Sequence, residues 1–315
     1  MSRFMPALAL ASGLERADID AATVRAGLDE RVTAGLGRLA AMRRSDGSWG
    51  WWHGLDGDLE MTSFVRLGLV EAAAGGADLT KHGLDRPFAF EWKRWLTEPT
   101  VMAALRGEPM PMEEDAQIAA EETITGFRQA LGVTGFDRES LLLLAYAEAR
   151  AGRVKADDVR PLVSSPTWPS VGERALAALT LDAVGDRDGA KQVLTQNLMH
   201  LVTAPTGWLA DLTVSTAWHL RAVAALDPAR ADDAWHALSA SRRGARWPST
   251  RHTAYALLAA SDYLRVRPGQ GAAKSWQVTI GGKEVARGVF AANKPMPPIT
   301  VSSDALARAQ ENLYS

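Results

Sequence analysis

Apolar residues recur along most of this chain with the period of a helix. In Thr250–Arg265, the residues Ala254, Leu257, Leu258, Ser261 and Leu264 fall at i, i+3, i+4, i+7 and i+10, one apolar or small face. Val214, Ala217, Leu220 and Ala224 do the same within Asp211–Leu226. Gly172–Val184 is Ala and Leu nearly all round, the pattern of a helix buried on every side by close neighbours. The same reading predicts helices over Phe4–Glu15, Asp20–Arg44, Leu59–Ala74, Glu113–Leu131, Arg138–Ala151, Arg187–Val202 and Pro228–Ala240. Gly, Pro and Asp mark the breaks. Several of these segments open on an acidic residue, which suits the helix dipole.

A longer period overlies the helical one. Trp168, Trp208 and Trp247 stand 40 and 39 residues apart, each in a turn-like stretch that a small-residue helix soon follows. Asp46-Gly47-Ser48-Trp49 ahead of Leu59–Ala74 repeats the theme, and so does Gly135-Phe136 ahead of Arg138–Ala151. The unit is a helical hairpin: an outer amphipathic helix, an aromatic turn and an inner apolar helix. One hairpin cannot bury both faces alone, so neighbours must stack. The inner helices are Phe4–Glu15, Leu59–Ala74, Arg138–Ala151, Gly172–Val184, Asp211–Leu226 and Thr250–Arg265. A set of six fits a closed ring better than an open superhelix. The predicted fold is mostly α: an α/α toroid of about six helical hairpins over residues 1–267, with a short β-hairpin tail.

Residues 84–111 interrupt the period with Trp92, Trp95, Pro87, Pro99, Pro109 and Pro111. They are expected to form an insertion that rides on the ring, with a short helix over Phe88–Leu96. After Arg267-Pro268-Gly269-Gln270-Gly271 the pattern changes again. Trp276, Val278 and Ile280 alternate with polar residues, Gly281-Gly282 follows, and Val285–Phe290 comes next, which predicts a hairpin. Asn293–Pro298 is a breaker, and Ile299–Val301 is expected to begin a third strand. So few strands do not make a self-sufficient β domain. Residues 274–315 are therefore expected to be a partial β segment of a flanking domain.

Composition narrows the chemistry. The 315 residues carry 35 Lys+Arg against 37 Asp+Glu, so no basic excess exists to neutralise phosphates, and no nucleic-acid partner is expected. No apolar run is long enough to span a membrane. Met1–Ala11 lacks a basic leader, so no signal peptide is expected. Cysteine is absent, which excludes disulfides, thiolate metal ligands and a Cys nucleophile from this chain. The six His residues, His53, His82, His200, His219, His236 and His252, show no metal-ligand spacing, and neither a metal nor a cofactor is expected. Asp56, Asp58 and Glu60 can be read as paired carboxylates for acid/base work, or as acids placed at a helix start. Trp49, Trp51, Trp52 and His53 form the densest aromatic cluster. A turn aromatic packed between hairpins accounts for such a cluster as well as a binding lip does.

Four segments carry a resemblance to a known family. Met1-Ser2-Arg3-Phe4-Met5-Pro6-Ala7-Leu8 looks like a first inner helix, and Asp46-Gly47-Ser48-Trp49-Gly50-Trp51-Trp52 with Met61-Thr62-Ser63-Phe64-Val65 like a Gly-Trp-Trp turn and its helix. Trp247-Pro248-Ser249-Thr250-Arg251-His252-Thr253-Ala254 looks like the last inner helix, and Ser275–Phe290 like a return into a β-rich domain. In this order they resemble the thioester domain of bacterial alpha-2-macroglobulin-like proteins. In that family a Cys-x-Glu-Gln motif precedes the first helix, and its Cys and Gln side chains condense to an internal thioester. This chain has no Cys, so the resemblance implies a toroid that lacks the motif, as a fragment or a natural remnant.

The resemblance implies a non-enzymatic module of a protease-trapping protein that acts in the periplasm or outside the cell. Its partners would be the remaining domains of a larger parent and, through that parent, proteases. Trp49, Trp51, Trp52 and His53, with His252 ahead of the last inner helix, would form an apolar lip at one end of the toroid. The alternative is a toroid enzyme acting on isoprenoids or carbohydrates. Terpene cyclases share the toroid and such turns, but need an acidic Asp-x-Asp-Asp set. Asp56-Gly57-Asp58-Leu59 lacks the third acid. Two convergent carboxylates in a central cavity would favour the enzyme, and a bore packed with Ala and Leu would favour the module.

Overall fold

The computed structural model describes residues 4–16, 22–88, 90–165, 168–198, 207–244, 246–267, 275–280 and 283–289. Within them the helices are α1 (Phe4–Arg16), α2 (Ala22–Met42), α3 (Leu59–Ala74), α4 (Trp92–Leu96), α5 (Pro99–Leu105), α6 (Glu114–Leu131) and α7 (Arg138–Arg150). They continue with α8 (Ala156–Val163), α9 (Val171–Ala183), α10 (Arg187–Thr195), α11 (Leu212–Leu226), α12 (Ala231–Ala240) and α13 (Thr250–Val266).

Six of these form an inner ring in the order α1, α3, α7, α9, α11, α13, and α13 packs back on α1 to close it. The fold is the predicted mostly α toroid. The ring helices are Ala- and Leu-rich because neighbours press on nearly every face. On α7, every residue from Glu139 to Ala149 is buried, and on α9 every residue from Ala175 to Leu181. Small side chains let such helices approach, and their burial is the main stabilising contribution, roughly 25 cal/mol per Å² of apolar surface. Close backbone approach recurs at Gly172, where an added Cβ would lie 2.4 Å from the Leu209 carbonyl oxygen.

Each ring helix after α1 starts at the same end of the toroid, and each is capped there. Asp58 accepts from Met61 N–H at 2.8 Å, Asp137 from Ser140 N–H at 2.7 Å, and Ser170 from Glu173 N–H at 3.1 Å. Asp211 accepts from Thr213 N–H at 2.9 Å, and Ser249 from His252 N–H at 3.3 Å. These caps satisfy donors that a helix start leaves open, each contributing about 1 kcal/mol. That ring of helix starts defines the mouth of the toroid.

The outer layer departs from expectation in two places. Helix α8 was not predicted, and it carries Pro161 within its two turns. The segment 84–111 holds two short helices rather than one. Its first helix is Trp92–Leu96, shorter than the predicted Phe88–Leu96, and Pro99 opens the second behind a Glu98 cap. Phe88, Phe90, Trp92, Leu96, Val101 and Leu105 are all buried in the common core. The segment is thus built into the outer wall. Phe127 of α6 receives Phe90, Trp95 and Phe136 edge-on, at centroid distances of 5.6, 5.7 and 5.3 Å. Edge-on contacts of this kind add about 1 kcal/mol each beyond their burial. The predicted Arg187–Val202 helix ends at Thr195.

Past α13, β1 (Ser275–Ile280) and β2 (Lys283–Val289) pair antiparallel, with an irregularity in register between Val278 and Thr279. The third strand expected at Ile299–Val301 lies outside the described residues, as does most of the segment 274–315.

Candidate functional site

The bore is closed by side chains, and they are aromatic and ionic rather than the Ala and Leu that would by themselves have favoured the module. At the mouth end, Trp208 stacks on Tyr255 with an 8° interplanar angle and 5.8 Å between centroids. Tyr255 in turn meets Phe64 and Trp218, both at 5.5 Å. The Arg251 guanidinium lies 4.7 Å from the Trp208 ring centre and forms an ion pair with Glu60. Cation and ring attract here through the ring quadrupole. Burial pushes the Tyr255 phenol up to about 12, so it stays protonated.

Deeper in the bore the lining turns ionic. Arg221 of α11 pairs with Glu71 of α3 at 2.5 Å and with Asp262 of α13 at 2.7 Å. Arg150 of α7 adds a second cation to Glu71 at 3.3 Å and donates to the Tyr146 hydroxyl at 2.9 Å. Burial alone would lower the Arg221 pKa, but Glu71, Tyr146 and Asp262 outweigh it, and the guanidinium is held charged. Helices α3, α7, α11 and α13 are thus tied across the axis by charge. A separate buried pair, Arg66 with Glu148, joins α3 to α7, with the Arg66 Nε donating to Glu148 at 2.7 Å.

The Trp loop sits on the mouth. Its backbone is fixed by Asp58 N–H to the Trp49 carbonyl at 2.9 Å and by Arg44 to the Leu55 carbonyl at 2.7 Å. Gly50 and Gly57 are required by contact: a Cβ on either would come within 2.4 Å of a backbone oxygen, that of Asp56 or Gly132. Trp49 belongs to the core. It is 1% exposed, and its indole N–H donates to the Leu39 carbonyl at 2.8 Å. Trp51 and Trp52 point the other way, 52% and 72% exposed, and His53 and Leu55 are exposed beside them.

Trp51 forms one wall of a pocket of about 250 Å³ completed by Glu60, Met61 and Phe64 of α3 and by Thr250, Arg251 and Ala254 of α13. His252 is not part of it. Its Nε2 lies 3.1 Å from Asp211 and its Nδ1 2.6 Å from the Ser249 hydroxyl. Burial alone would raise Asp211, but hydrogen bonds from Val214 N–H and from His252 outweigh it and hold the carboxyl below its ordinary range. Of the five residues predicted for the lip, Trp51 therefore lines the pocket. Trp52 and His53 cap the loop, Trp49 anchors it, and His252 braces the start of α13. Sequence reasoning did not assign Arg251 and Phe64 to the site, although both lie within motifs it quoted. The 39-residue Trp period did mark Trp208, which lies beneath Arg251.

The mouth also holds an unusual carboxyl. Glu139, near the start of α7, is 9% exposed and accepts from the Leu209 N–H at 3.0 Å. Burial pushes it up to about 7, against the pull of that hydrogen bond, and nearby Glu173 and Asp137 push the same way. Among the described residues no group of three or more His, Asp or Glu side chains is arranged to hold a metal, and no helix is long and apolar enough to cross a membrane.

No family model matches the chain. In sequence it is similar to an alpha-2-macroglobulin of Thermotoga maritima, 28% identical over 183 residues, which are 56% of this chain and 11% of that protein. In structure it is similar to a crystal structure of native Escherichia coli alpha-2-macroglobulin running from domain MG7 to the C-terminus. The TM-score is 0.53 at 17% identity, covering 90% of this chain and 42% of that one. It is likewise similar to trypsin-activated alpha-2-macroglobulin of Escherichia coli, with a TM-score of 0.50 at 17% identity, covering 90% of this chain and 18% of that one. The architecture is thus the helical toroid of those proteins. In sequence and in fold the chain is thus similar to bacterial alpha-2-macroglobulins, and it spans about a tenth of the Thermotoga relative.

Proposed function

We propose that the chain is the helical-toroid portion of an alpha-2-macroglobulin-like protease-trapping protein, and that it serves as a binding module that cannot form a thioester itself. The observation that carries this reading is the toroid's design. Its bore is filled by Phe64, Tyr255, Trp208 and Trp218 above and by the Glu71–Arg150–Arg221–Asp262 network below, while Trp51 and Trp52 stand exposed at the mouth. A toroid enzyme needs an open bore with convergent acids. The two carboxylates that converge in the bore, Glu71 and Asp262, are both neutralised by Arg221, and the mouth pocket offers one, Glu60, already paired with Arg251. With no Cys in the sequence, the chain supplies no thiol for an activated acyl group.

On this reading, residues 1–267 are the toroid and 274–315 lead into a neighbouring β domain. The exposed Trp loop, with His53, is the contact surface toward the rest of a larger protein. The protease meets that larger protein, outside the cytoplasm. The relative solved in a trypsin-activated state supports the link to proteases. The test has two arms. Protein purified from the native host is incubated with trypsin and followed on native gels, where co-migration of protease with this chain is expected. The chain alone is incubated with methylamine, prenyl diphosphates and oligosaccharides, with neither incorporation nor turnover expected. Turnover of either substrate overturns the reading, and amine incorporation at a Gln overturns the thioester-free part of it.

A further inference from the structure

Ser249, His252 and Asp211 form a hydrogen-bonded chain at the mouth of the toroid, and none of them lines the pocket there. The Ser249 hydroxyl lies 2.6 Å from the His252 Nδ1, and the His252 Nε2 lies 3.1 Å from an Asp211 carboxylate oxygen. An ionised carboxylate only accepts, so Nε2 carries the hydrogen and donates it to Asp211. Nδ1 then holds the lone pair, and the Ser249 hydroxyl donates to it. Either imidazole nitrogen can take a proton; what a base needs is that the opposite one be fixed as N–H. Asp211 is itself fixed, since the same oxygen accepts from the Thr213 and Val214 N–H groups at 2.9 and 3.1 Å.

Capping explains only half of this arrangement. The Ser249 oxygen accepts from the His252 N–H and closes the start of α13. The hydroxyl proton plays no part in that bond. Of the five capped ring helices, α13 alone carries His at its third position, where α3, α7, α9 and α11 carry Met61, Ser140, Glu173 and Val214. The cap therefore needs no imidazole. Ser249 is exposed among the described residues, while the side chains of His252 and Asp211 are partly shielded. The N–H groups of Thr250 and Arg251 open α13 beside it, and helix geometry leaves them without intrahelical acceptors.

We propose that Ser249 is a nucleophile for acyl transfer from small carboxylic esters, with His252 as its general base and Asp211 as the positioning residue. Ser249 Oγ attacks the ester carbonyl carbon, and its proton passes to His252 Nδ1. The C–O bond to the leaving alcohol breaks, the alcohol takes that proton, and the acyl group stays on Ser249. Water then attacks the acyl-serine and gives one proton to Nδ1. The carboxylic acid leaves, and that proton returns to Oγ. The start of α13 supplies the donors for the charge that develops on the carbonyl oxygen, but at an exposed rim water weakens their help. Alkoxides and phenolates leave without much assistance and amines do not, which limits the substrates to esters. The proposal does not rest on the functional reading above, and failure of either leaves the other standing.

The full chain is treated with an alkyl fluorophosphonate, digested and examined by mass spectrometry. A phosphonylated Ser249 is expected, with the exposed Ser45 unmodified. Hydrolysis of p-nitrophenyl butyrate is expected to open with a burst of about one p-nitrophenolate per chain. Ser249→Asn keeps a capping oxygen without the hydroxyl, and is expected to lose both reactions while circular dichroism stays unchanged. His252→Gln is expected to slow the labelling about a hundredfold. Asp211→Asn keeps the oxygen that caps α11 and removes its charge. It is expected to slow labelling and to move its pH profile to lower pH, because the carboxylate no longer favours the imidazolium. A brace without chemistry would not move that profile. No adduct at Ser249, labelling of Ser249 no faster than of Ser45, a rate indifferent to His252→Gln, or ester hydrolysis no faster than that of Ser249→Asn overturns the proposal.

Discussion

Arg221 reaches from α11 to Glu71 on α3, 150 residues away in the chain, and closes a 2.5 Å ion pair inside the toroid's bore. Its Nε is bound to Asp262 of α13 at 2.7 Å, so one guanidinium joins three ring helices. Such a pair need not stabilise more than an apolar filling would, because both charges were taken out of water. Removing one partner is a different matter, since it leaves a buried charge uncompensated. Arg221→Met is therefore expected to cost about 3–5 kcal/mol in urea unfolding. Arg221→Met combined with Glu71→Gln and Asp262→Asn is expected to recover part of that loss. A single-variant cost below about 1 kcal/mol would show that the orphaned acids reach water.

Trp49 and Trp52 lie three positions apart on one loop and should behave oppositely. Trp49 fills the core and satisfies its indole N–H on the Leu39 carbonyl, while Trp52 is 72% exposed. Trp49→Ala is expected to destabilise by about 3–5 kcal/mol through lost burial and the cavity it leaves. Trp52→Ala is expected to change stability by about 0.5 kcal/mol or less. If the loop is the contact surface, Trp52→Ala and Trp51→Ala together should weaken association with the rest of the parent protein. Thermal melts of the chain alone and co-purification of the whole protein separate the two effects.

The hairpin formed by Ser275–Ile280 and Lys283–Val289 is a sheet of two strands among the described residues. Two strands leave both outer edges unpaired, and an isolated hairpin is marginal in water. Its amides are expected to exchange faster than those of Thr250–Val266, where the helix packs on both α1 and α11. Equal protection in a dilute monomer would mean that the hairpin has its partner within this chain.

Much of the ring was legible because its signal is repeated. An aromatic turn, followed by a cap and a small-residue helix, marks each inner helix after the first, and the last three such turns stand 40 and 39 residues apart. Asp58, Asp137, Ser170, Asp211 and Ser249 each lie where a start signal is read. Helix α8 escaped because Pro161 lies inside it and only Val159, Leu162 and Val163 are buried. The segment 84–111 reads as irregular because its prolines break it, yet its aromatics complete the wall around Phe127. The bore was not legible at all. Glu71, Arg150, Arg221 and Asp262 come one from each helix and read singly as surface charges; only closure of the ring brings them together. The lip was half legible, since a Trp-rich stretch announces a turn but not which ring faces in. Trp51 and Arg251 meet at one pocket only because α3 and α13 both start at the mouth.

Glu139 supplies the pH dependence with the clearest sign. Its carboxyl titrates at about 7 in the folded chain against 4.5 as the ordinary value, because burial disfavours the charged form. Between those values the folded state holds a proton that the unfolded state has lost, so stability falls as pH rises through that window. The full difference corresponds to about 3 kcal/mol at most, from 1.36 kcal/mol per pKa unit. His219 works in the opposite sense: burial, with Arg174 and Arg230, lowers it to about 4, so its contribution is lost as pH falls below 6.5. The comparison that isolates Glu139 is therefore wild type against Glu139→Gln, which keeps an acceptor for the Leu209 N–H and cannot ionise. The variant is expected to gain stability relative to wild type as pH rises from about 4.5 to 7, and to hold that gain above it. Urea unfolding across this range measures it. A constant difference between the two proteins would show that Glu139 titrates like an exposed acid and that the turn at Trp208 is not sealed over it.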